Sequence, residues 1–542
     1  MFSTFLALSA LAAPQAAPRV EVLRSTLPGS VTSEVPGYPG IEITKFRDFS
    51  ISPSGRFVVL AQSTGSTPAH FVIGDDGTVL GNGEVAPWTS ADTMILSYSA
   101  AGVAVNDAGQ IFVNTLVNES TGGQRVWIAR KTGGAWLGMY DSKSAIPGAP
   151  GVFFNAFDEL NGLANGQVAF YTDARGLPLD RNRFLLNPPA ILEREGVTGP
   201  IDSLSGALLD VWDNWSADAS FQVTPDGAHR LVRGTVASAP SLSNEFYTYD
   251  GDLIIAEQTV LAGSGFVDPV LEVYHMHLGH EGTWMATGVN DPPGSASPRE
   301  FWFVRDGAVV AQTGDPIVPG DARIWHDGTG VARGAYFAVS NGTRHYLAGY
   351  GDHTGTGDRK QVIVLEGDQV VLEAGDPIDL DGNGLFDDNL IVEAFGVEQW
   401  NTVDRTGRLW LIAILRDTAN NKTVEALLRI SPHPVTLAVP TLVGGQAATI
   451  EVQDAVPGKT AVLLYSLAGG GPASFPTPFG TLAFAVGAPF SVSAPVAVPG
   501  SGTASFPVFI PAALSGATVW AQAGVYDASS GQLSNGFRGL VM

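Results

Sequence analysis

Apolar and polar residues alternate along most of this chain, in short runs separated by turns that contain Gly. One arrangement recurs: an alternating segment, a turn ending in Gly, then a short apolar run. It reads FSISPSG-RFVVLA at Gly55, VAVNDAG-QIFV at Gly109 and ELNGLANG-QVAFY at Gly166. It returns as FQVTPDG-AHRLV at Gly227, HMHLGHEG-TWMAT at Gly282, YFAVSNG-TRHYLA at Gly342 and NTVDRTG-RLWLIAI at Gly407. Successive glycines stand 54 to 65 residues apart. Alternation at period two is strand periodicity, and the Gly-ended turns predict antiparallel hairpins.

A second hairpin follows each of the first six. It reads HFVIGDDGTVLG around Gly77, VWIARKTGGAWLG around Gly133 and FLLNPPAILE around Pro188. It continues as FYTYDGDLIIAE around Gly251, FWFVRDGAVVAQ around Gly307 and VIVLEGDQVVLE around Gly367. Four strands per unit at this period predict the blades of a β-propeller. The seventh unit lacks a fourth strand, and Val20-Glu21-Val22-Leu23 is the candidate to supply it. Pairing the chain's start with its last blade would remove both exposed sheet edges. The expectation is an all-β chain. Residues 18–432 form a seven-bladed β-propeller whose N-terminal strand closes the last blade.

After Ser431-Pro432-His433-Pro434 the composition shifts to Ala, Val, Gly and Pro, with Lys459 and Arg538 the only basic residues. Seven or eight short alternating runs follow, from VTLAV to FRGLVM, and predict an immunoglobulin-like β-sandwich over residues 433–542. Such a module suits a spacer or an attachment role. At the other end, residues 1–17 read as a secretory signal peptide: an apolar run from Phe2 to Ala13, then small residues, without a basic start. No other run is long enough to span a membrane.

The chain has no Cys, which excludes disulfides, thiolate metal sites and Cys nucleophiles. A secreted, disulfide-free protein points to a bacterial source in the extracellular space or periplasm. A net charge of −24 opposes nucleic acid and anionic membranes and attracts cations.

The densest chemical signal is Asp379-Leu-Asp381-Gly-Asn383-Gly-Leu385-Phe-Asp387-Asp388. Oxygen ligands at alternate positions let one loop wrap a hard cation, with side chains from Asp379, Asp381, Asn383 and Asp387 and the Leu385 carbonyl. Position twelve is Leu390 instead of Glu, so the loop is not a standard EF-hand. Running into Asp388-Asn-Leu-Ile-Val-Glu-Ala-Phe-Gly, it resembles the calcium loop of FG-GAP, or integrin-type, propeller repeats, with Asn389 inserted and Glu393 replacing a glycine. The resemblance implies structural calcium. The wider pattern resembles uncharacterised secreted bacterial propeller repeat proteins, and implies a fold and a location without an activity. This loop reads as an insertion that the other units lack. The two GDPI copies, Gly314–Ile317 and Gly375–Ile378, read as strand stops.

Histidine supplies a second signal. Six of nine lie between His275 and His353. His275 and His277 alternate on one strand and so share a face. His326-Asp327 and Asp352-His353 flank the sixth unit's strands on the face where ligand sites of this architecture form. These six residues are candidate ligand-binding groups. Together they could hold a transition metal or serve as general acid and base. His280 falls in the opposite turn, at the surface. No G-x-S-x-G, HExxH, P-loop or dinucleotide motif occurs, and Val403–Trp410 is a poor and solitary match to a sialidase Asp-box. Three readings remain: a secreted binding protein for a glycan, protein or small solute; a metal-assisted hydrolase or lyase; and a structural surface or matrix component.

Overall fold

The structure is a computed structural model. It describes residues 18–64, 69–89, 91–95, 102–178, 182–215, 221–238, 245–261, 266–290, 300–326, 335–353, 359–380, 388–395, 401–432, 435–477, 480–500, 502–527 and 531–542. Among the described residues the chain is all-β, with no α-helix. It divides into two compact units: Val20–Arg405 with Leu409–Arg429, and Ile430–Met542, with which Thr406–Arg408 are grouped.

The first unit is a succession of antiparallel sheets. Six of them occupy residues 43–81, 93–141, 153–194, 212–256, 270–312 and 323–373, each running in chain order across the sheet, with the first strand in two pieces in the second, fourth and sixth. The seventh takes its strands from residues 377–431 and adds Arg19–Ser25 at its edge, beside Lys422–Ser431. Bonds across that seam are specific. Thr26 N–H donates to the Glu425 carbonyl (2.8 Å), and Arg429 Nε donates to Glu21 (2.6 Å).

Local chemistry explains the hairpins. All seven turn glycines have positive φ, from 71° at Gly109 to 94° at Gly342, where any side chain is strained. Many also lie under a side chain of the preceding sheet. An added Cβ would meet Arg56 at Gly109, Asn187 at Gly227 and His229 at Gly282. The second hairpins use left-handed pairs such as Asp250-Gly251 and Asp306-Gly307, as type I′ turns require. Their aspartates also reach back: Asp75, Asp250 and Asp306 accept the N–H of Phe57, Arg230 and Trp284, each at the start of a second strand.

The first strands touch in sequence, each against that of the next sheet. The seventh sheet packs on the first through one cluster that holds Trp410, Ile412 and Leu427 against Phe46, Phe57 and Val59. Each fully buried side chain of this size contributes roughly 1.5–3 kcal/mol. The second unit is two antiparallel sheets and a hairpin. Residues 436–438, 447–453 and 504–509 make one sheet, and residues 460–466, 518–526 and 531–540 form the body of the other. Leu437, Val452 and Phe506 of the first meet Leu463, Ala523 and Val525 of the second in one core.

Passages between sheets also repeat. Glu34 bridges Glu42, Val85 bridges Thr93, Ala145 bridges Phe153, and Pro316 bridges Ile324. These loops sink apolar anchors, among them Val35, Ala86, Ile146 and Ile317. GDPI therefore opens a crossover loop and does not end pairing. Pro377–Ile378 pairs with Leu390 and Ile391, Ile378 is the buried anchor, and Asp376 accepts the Glu373 N–H (2.8 Å). The acidic loop thus occupies the place of a crossover loop, and its bridge closes a longer span, Pro377 to Ile391, than Pro316 to Ile324.

Candidate functional site

The chemistry-bearing residues of the first unit lie on the first strands, and their position relative to the first turn decides what they do. Ser52, Asn106, Leu163, Thr224, Gly279 and Asn341 each donate the N–H that closes that turn. Two residues before this point stand Ser50, Asn161, Gln222 and His277. Each reaches the next sheet. Ser50 Oγ accepts the Val105 N–H (3.3 Å), and Asn161 Oδ1 accepts that of Val223 (3.3 Å). Gln222 does more: its Oε1 accepts the Leu278 N–H (2.7 Å) while its Nε2 donates to the Met276 carbonyl (3.0 Å). His277 Nε2 lies 3.1 Å from the Ser340 carbonyl and donates to it.

Four residues before the turn the same logic holds. Asp48 Oδ2 accepts the Val103 N–H (2.9 Å). His275, at the matching place, faces the Ala338 backbone and the Asn401 side chain. So His275 and His277 share a face, as their spacing predicts, and that face is the seam with the sixth sheet. His275 is 5% exposed and His277 7%. Burial holds them neutral, pulling His275 down to about 4; burial and then the neighbouring imidazoles pull His277 down to about 3. His277 is an inter-sheet bridge, whereas His275 packs on Phe337 of the sixth sheet with its Nδ1 buried and unpartnered.

The first turns themselves meet. Arg405 of the seventh sheet donates its backbone N–H to Pro53 of the first (2.6 Å), and its Nη2 lies 2.9 Å from Asp107 Oδ2 of the second. Asp107 Oδ1 also takes the Ser54 N–H (2.7 Å). Asp404 is fully buried, accepts Trp410 Nε1 (2.9 Å), and receives the Asn341 amide on its carbonyl (2.8 Å). His280 of the fifth sheet faces the Val403 backbone of the seventh, skipping the sixth. Such skipping contacts require the turns to converge on one small space. Contrary to the surface position expected of it, His280 has its Nε2 buried there without a partner, and burial with Arg405 nearby pulls it down to about 4. The cluster balances Arg405 against Asp107 and ties five sheets together; it presents no open nucleophile.

The other expected residues are not drawn into this cluster. His326 is 8% exposed; its N–H donates to the Tyr350 carbonyl (2.9 Å) and its carbonyl accepts Tyr336 Oη (3.3 Å). Asp352 lies 3.6 Å from Arg359, with its Oδ1 buried and unpartnered, and the His353 backbone pairs with Arg323. Asp327 lies outside the described residues, as do Asp381, Asn383, Leu385 and Asp387 of the acidic loop. Asp379 is described, and next to it the Leu380 N–H donates to Asp388 Oδ2 (2.7 Å). Among the described residues, no group of three or more His, Asp or Glu is placed to hold a metal ion. The bridging residues Asp48, Asn161 and Gln222 went unread in the sequence; their shared distance from the turn was the available signal.

No protein-family model matches the chain, and no curated protein matches it. Solved structures similar to it include the Dos1 propeller, at 9% identity over 75% of this chain and 94% of that one, with a TM-score of 0.28. PorZ, described as an essential bacterial surface component of the type-IX secretion system of Porphyromonas gingivalis, is 9% identical over 92% and 81%, at 0.23. The Trypanosoma rangeli sialidase in complex with 2,3-difluorosialic acid is 10% identical over 94% and 91%, at 0.21. Likenesses this distant assign neither a substrate nor a partner.

Proposed function

We propose that the chain is a secreted binding protein without catalytic activity. In this reading its first unit is a seven-bladed β-propeller that recognises an extracellular ligand on its crossover-loop face. The second unit, an immunoglobulin-like sandwich, is the spacer or attachment module. The observation that carries the reading is the burial of His275 and His277 in the seam between the fifth and sixth sheets, where His277 bridges to Ser340. It removes two of the residues on which a metal-assisted hydrolase or lyase would depend. What is left is a closed set of sheets whose variation lies in loops, the arrangement on which recognition is built.

Calcium is proposed as a structural ion of the lengthened loop, held by Asp379, Asp381, Asn383, the Leu385 carbonyl and Asp387. Its support is the donor pattern and the Leu380–Asp388 bond, which draws the two ends of the loop together. The protein, purified without its first 17 residues, is expected to be retained saturably on washed bacterial surfaces or their extracellular matrix, leaving the retained material unchanged. Turnover of that material, lost in His326→Ala, would restore the hydrolase reading. In millimolar calcium the melting temperature is expected to rise by about 3–8 °C over its value in EDTA, and Asp379→Asn to abolish the rise. A melting temperature indifferent to both removes the ion.

A further inference from the structure

We infer that the second sheet carries a saccharide-binding platform built from Trp88, Trp127 and Trp136; the inference rests on the reading of the chain as an extracellular binding protein. Nine tryptophans of the first unit are described. Six of them, Trp212, Trp215, Trp284, Trp302, Trp325 and Trp410, are buried. The other three are part-exposed, and they stand together.

Local structure assembles them. Trp88 sits at the tip of the crossover loop, where the Ala86 N–H donates to the Asp92 carbonyl (2.8 Å) and the Thr89 N–H to the Ala86 carbonyl (2.9 Å). Trp127 and Trp136 come from the neighbouring strands Gln124–Thr132 and Ala135–Asp141. Trp88 and Trp136 have ring centroids 5.4 Å apart at 49°. Gly138 makes the assembly possible: a Cβ there would lie 2.6 Å from Trp127 and 3.2 Å from Trp88. The Arg125 guanidinium lies 5.5 Å from the centre of the Trp127 ring and pairs with Glu119 (2.7 Å).

The second observation concerns hydrogen bonding. Trp88 Nε1, Trp127 Nε1 and Arg125 Nε have no acceptor. A buried donor left without an acceptor is costly, and a ligand that supplies one recovers that cost. Trp212 and Trp215 also lack acceptors, but their rings are sealed in the core. Around Trp88 the unmet donors belong to part-exposed rings, one of them on a loop tip, so a small turn brings them to an outside acceptor. The matching ligand has flat C–H faces for the indoles and many hydroxyl acceptors for the N–H groups. That describes a sugar ring. A lipid surface offers no use for three donors, and the net charge of −24 opposes a polyanion, so the ligand class is a neutral polysaccharide.

The test is affinity electrophoresis of the whole secreted chain in gels containing laminarin, hydroxyethylcellulose, galactomannan, xylan or dextran. At least one should retard the wild type, and Trp88→Ala/Trp136→Ala should bind it about tenfold more weakly with an unchanged melting temperature. Trp88→Phe/Trp136→Phe should keep part of the affinity, and Leu137→Ala, next door, all of it. If the double variant melts early, Trp88→Ala alone, on the loop tip, is read in its place. Retardation equal to wild type in the alanine variants places the ligand elsewhere and overturns the platform, leaving the binding role intact. Failure of all five to retard the wild type also overturns it. Surface retention that persists in that case marks a partner of another class.

Discussion

The first and fifth sheets solve one problem with opposite chemistry. At the two bridging positions of its first strand the first sheet places Asp48 and Ser50, and the fifth places His275 and His277. Both pairs face the next sheet. Asp48 and Ser50 accept backbone N–H groups, whereas His277 donates to a carbonyl. The geometry is held and the proton inventory is reversed. Burial pushes Asp48 up to about 7 and His275 and His277 down to about 4 and 3. A repeat of this kind fixes where a polar side chain must bridge, not which one does so. A residue type at such a place is therefore poor evidence of catalysis.

The largest effect should come from breaking the imidazole bridge. His277→Ala removes a buried ring and leaves the Ser340 carbonyl without its donor, a loss of about 3–5 kcal/mol from the two terms together. His277→Gln should recover most of that, because Gln222 performs the same task in the fourth sheet with an amide. Chemical denaturation of both variants decides it. Equal destabilisation by Ala and Gln would mean that the two positions are not equivalent.

The opposed protonation states predict opposed pH limbs. The folded pKa of each histidine is depressed below 6.5, so the unfolded chain binds more protons on the acid side. Their contribution is complete above about pH 6.5 and is lost as pH falls toward 4 and then 3, at about 3 kcal/mol for His275. Asp48 runs the other way. Its folded pKa is raised, so its contribution is complete below about pH 4 and is lost as pH rises through 7. Glu257, also raised by burial to about 7, adds to that alkaline limb. Unfolding midpoints between pH 4 and 8 should show His277→Gln weakening the acid limb and Asp48→Asn the alkaline one. Either variant flattening the wrong limb would refute the assignment.

The strands and their turns were legible because they are local. Asp250-Gly251 and Asp306-Gly307 are adjacent residues whose chemistry sets φ with no help from the rest of the chain. The bridges were not legible, because Gln222 and Leu278, or Asn106 and Leu163, meet only after whole sheets have formed. His275 and His277 show the boundary well. Period two places them on one face, but nothing local says whether that face is solvent, ligand or the next sheet. The acidic loop shows the same boundary. Its length and Asp content set it apart in sequence, while its bridge and buried Ile378 make it one member of a family of crossover loops. Trp88 and Trp127 belong to different local elements, and the bare Gly138 leaves room for both rings.

The smallest expected effect tests whether every bridge matters equally. Ser50→Ala removes one acceptor for the Val105 N–H at a long 3.3 Å, in a strand that keeps Asp48 two residues away. The net worth of such a bond is about 0.5–1.5 kcal/mol, and a weak one belongs at the bottom of that range. Amide exchange at Val105 should quicken by about threefold, with exchange at Val103 and at the fifth-sheet seam unchanged. A loss as large as that of His277→Ala would show that the seam between the first two sheets depends on the hydroxyl as heavily as the later seam depends on its imidazole. Sheets one and five would then differ in protonation alone. The smaller loss, confined to Val105, would show that the fifth sheet concentrates in His277 what the first divides between Asp48 and Ser50.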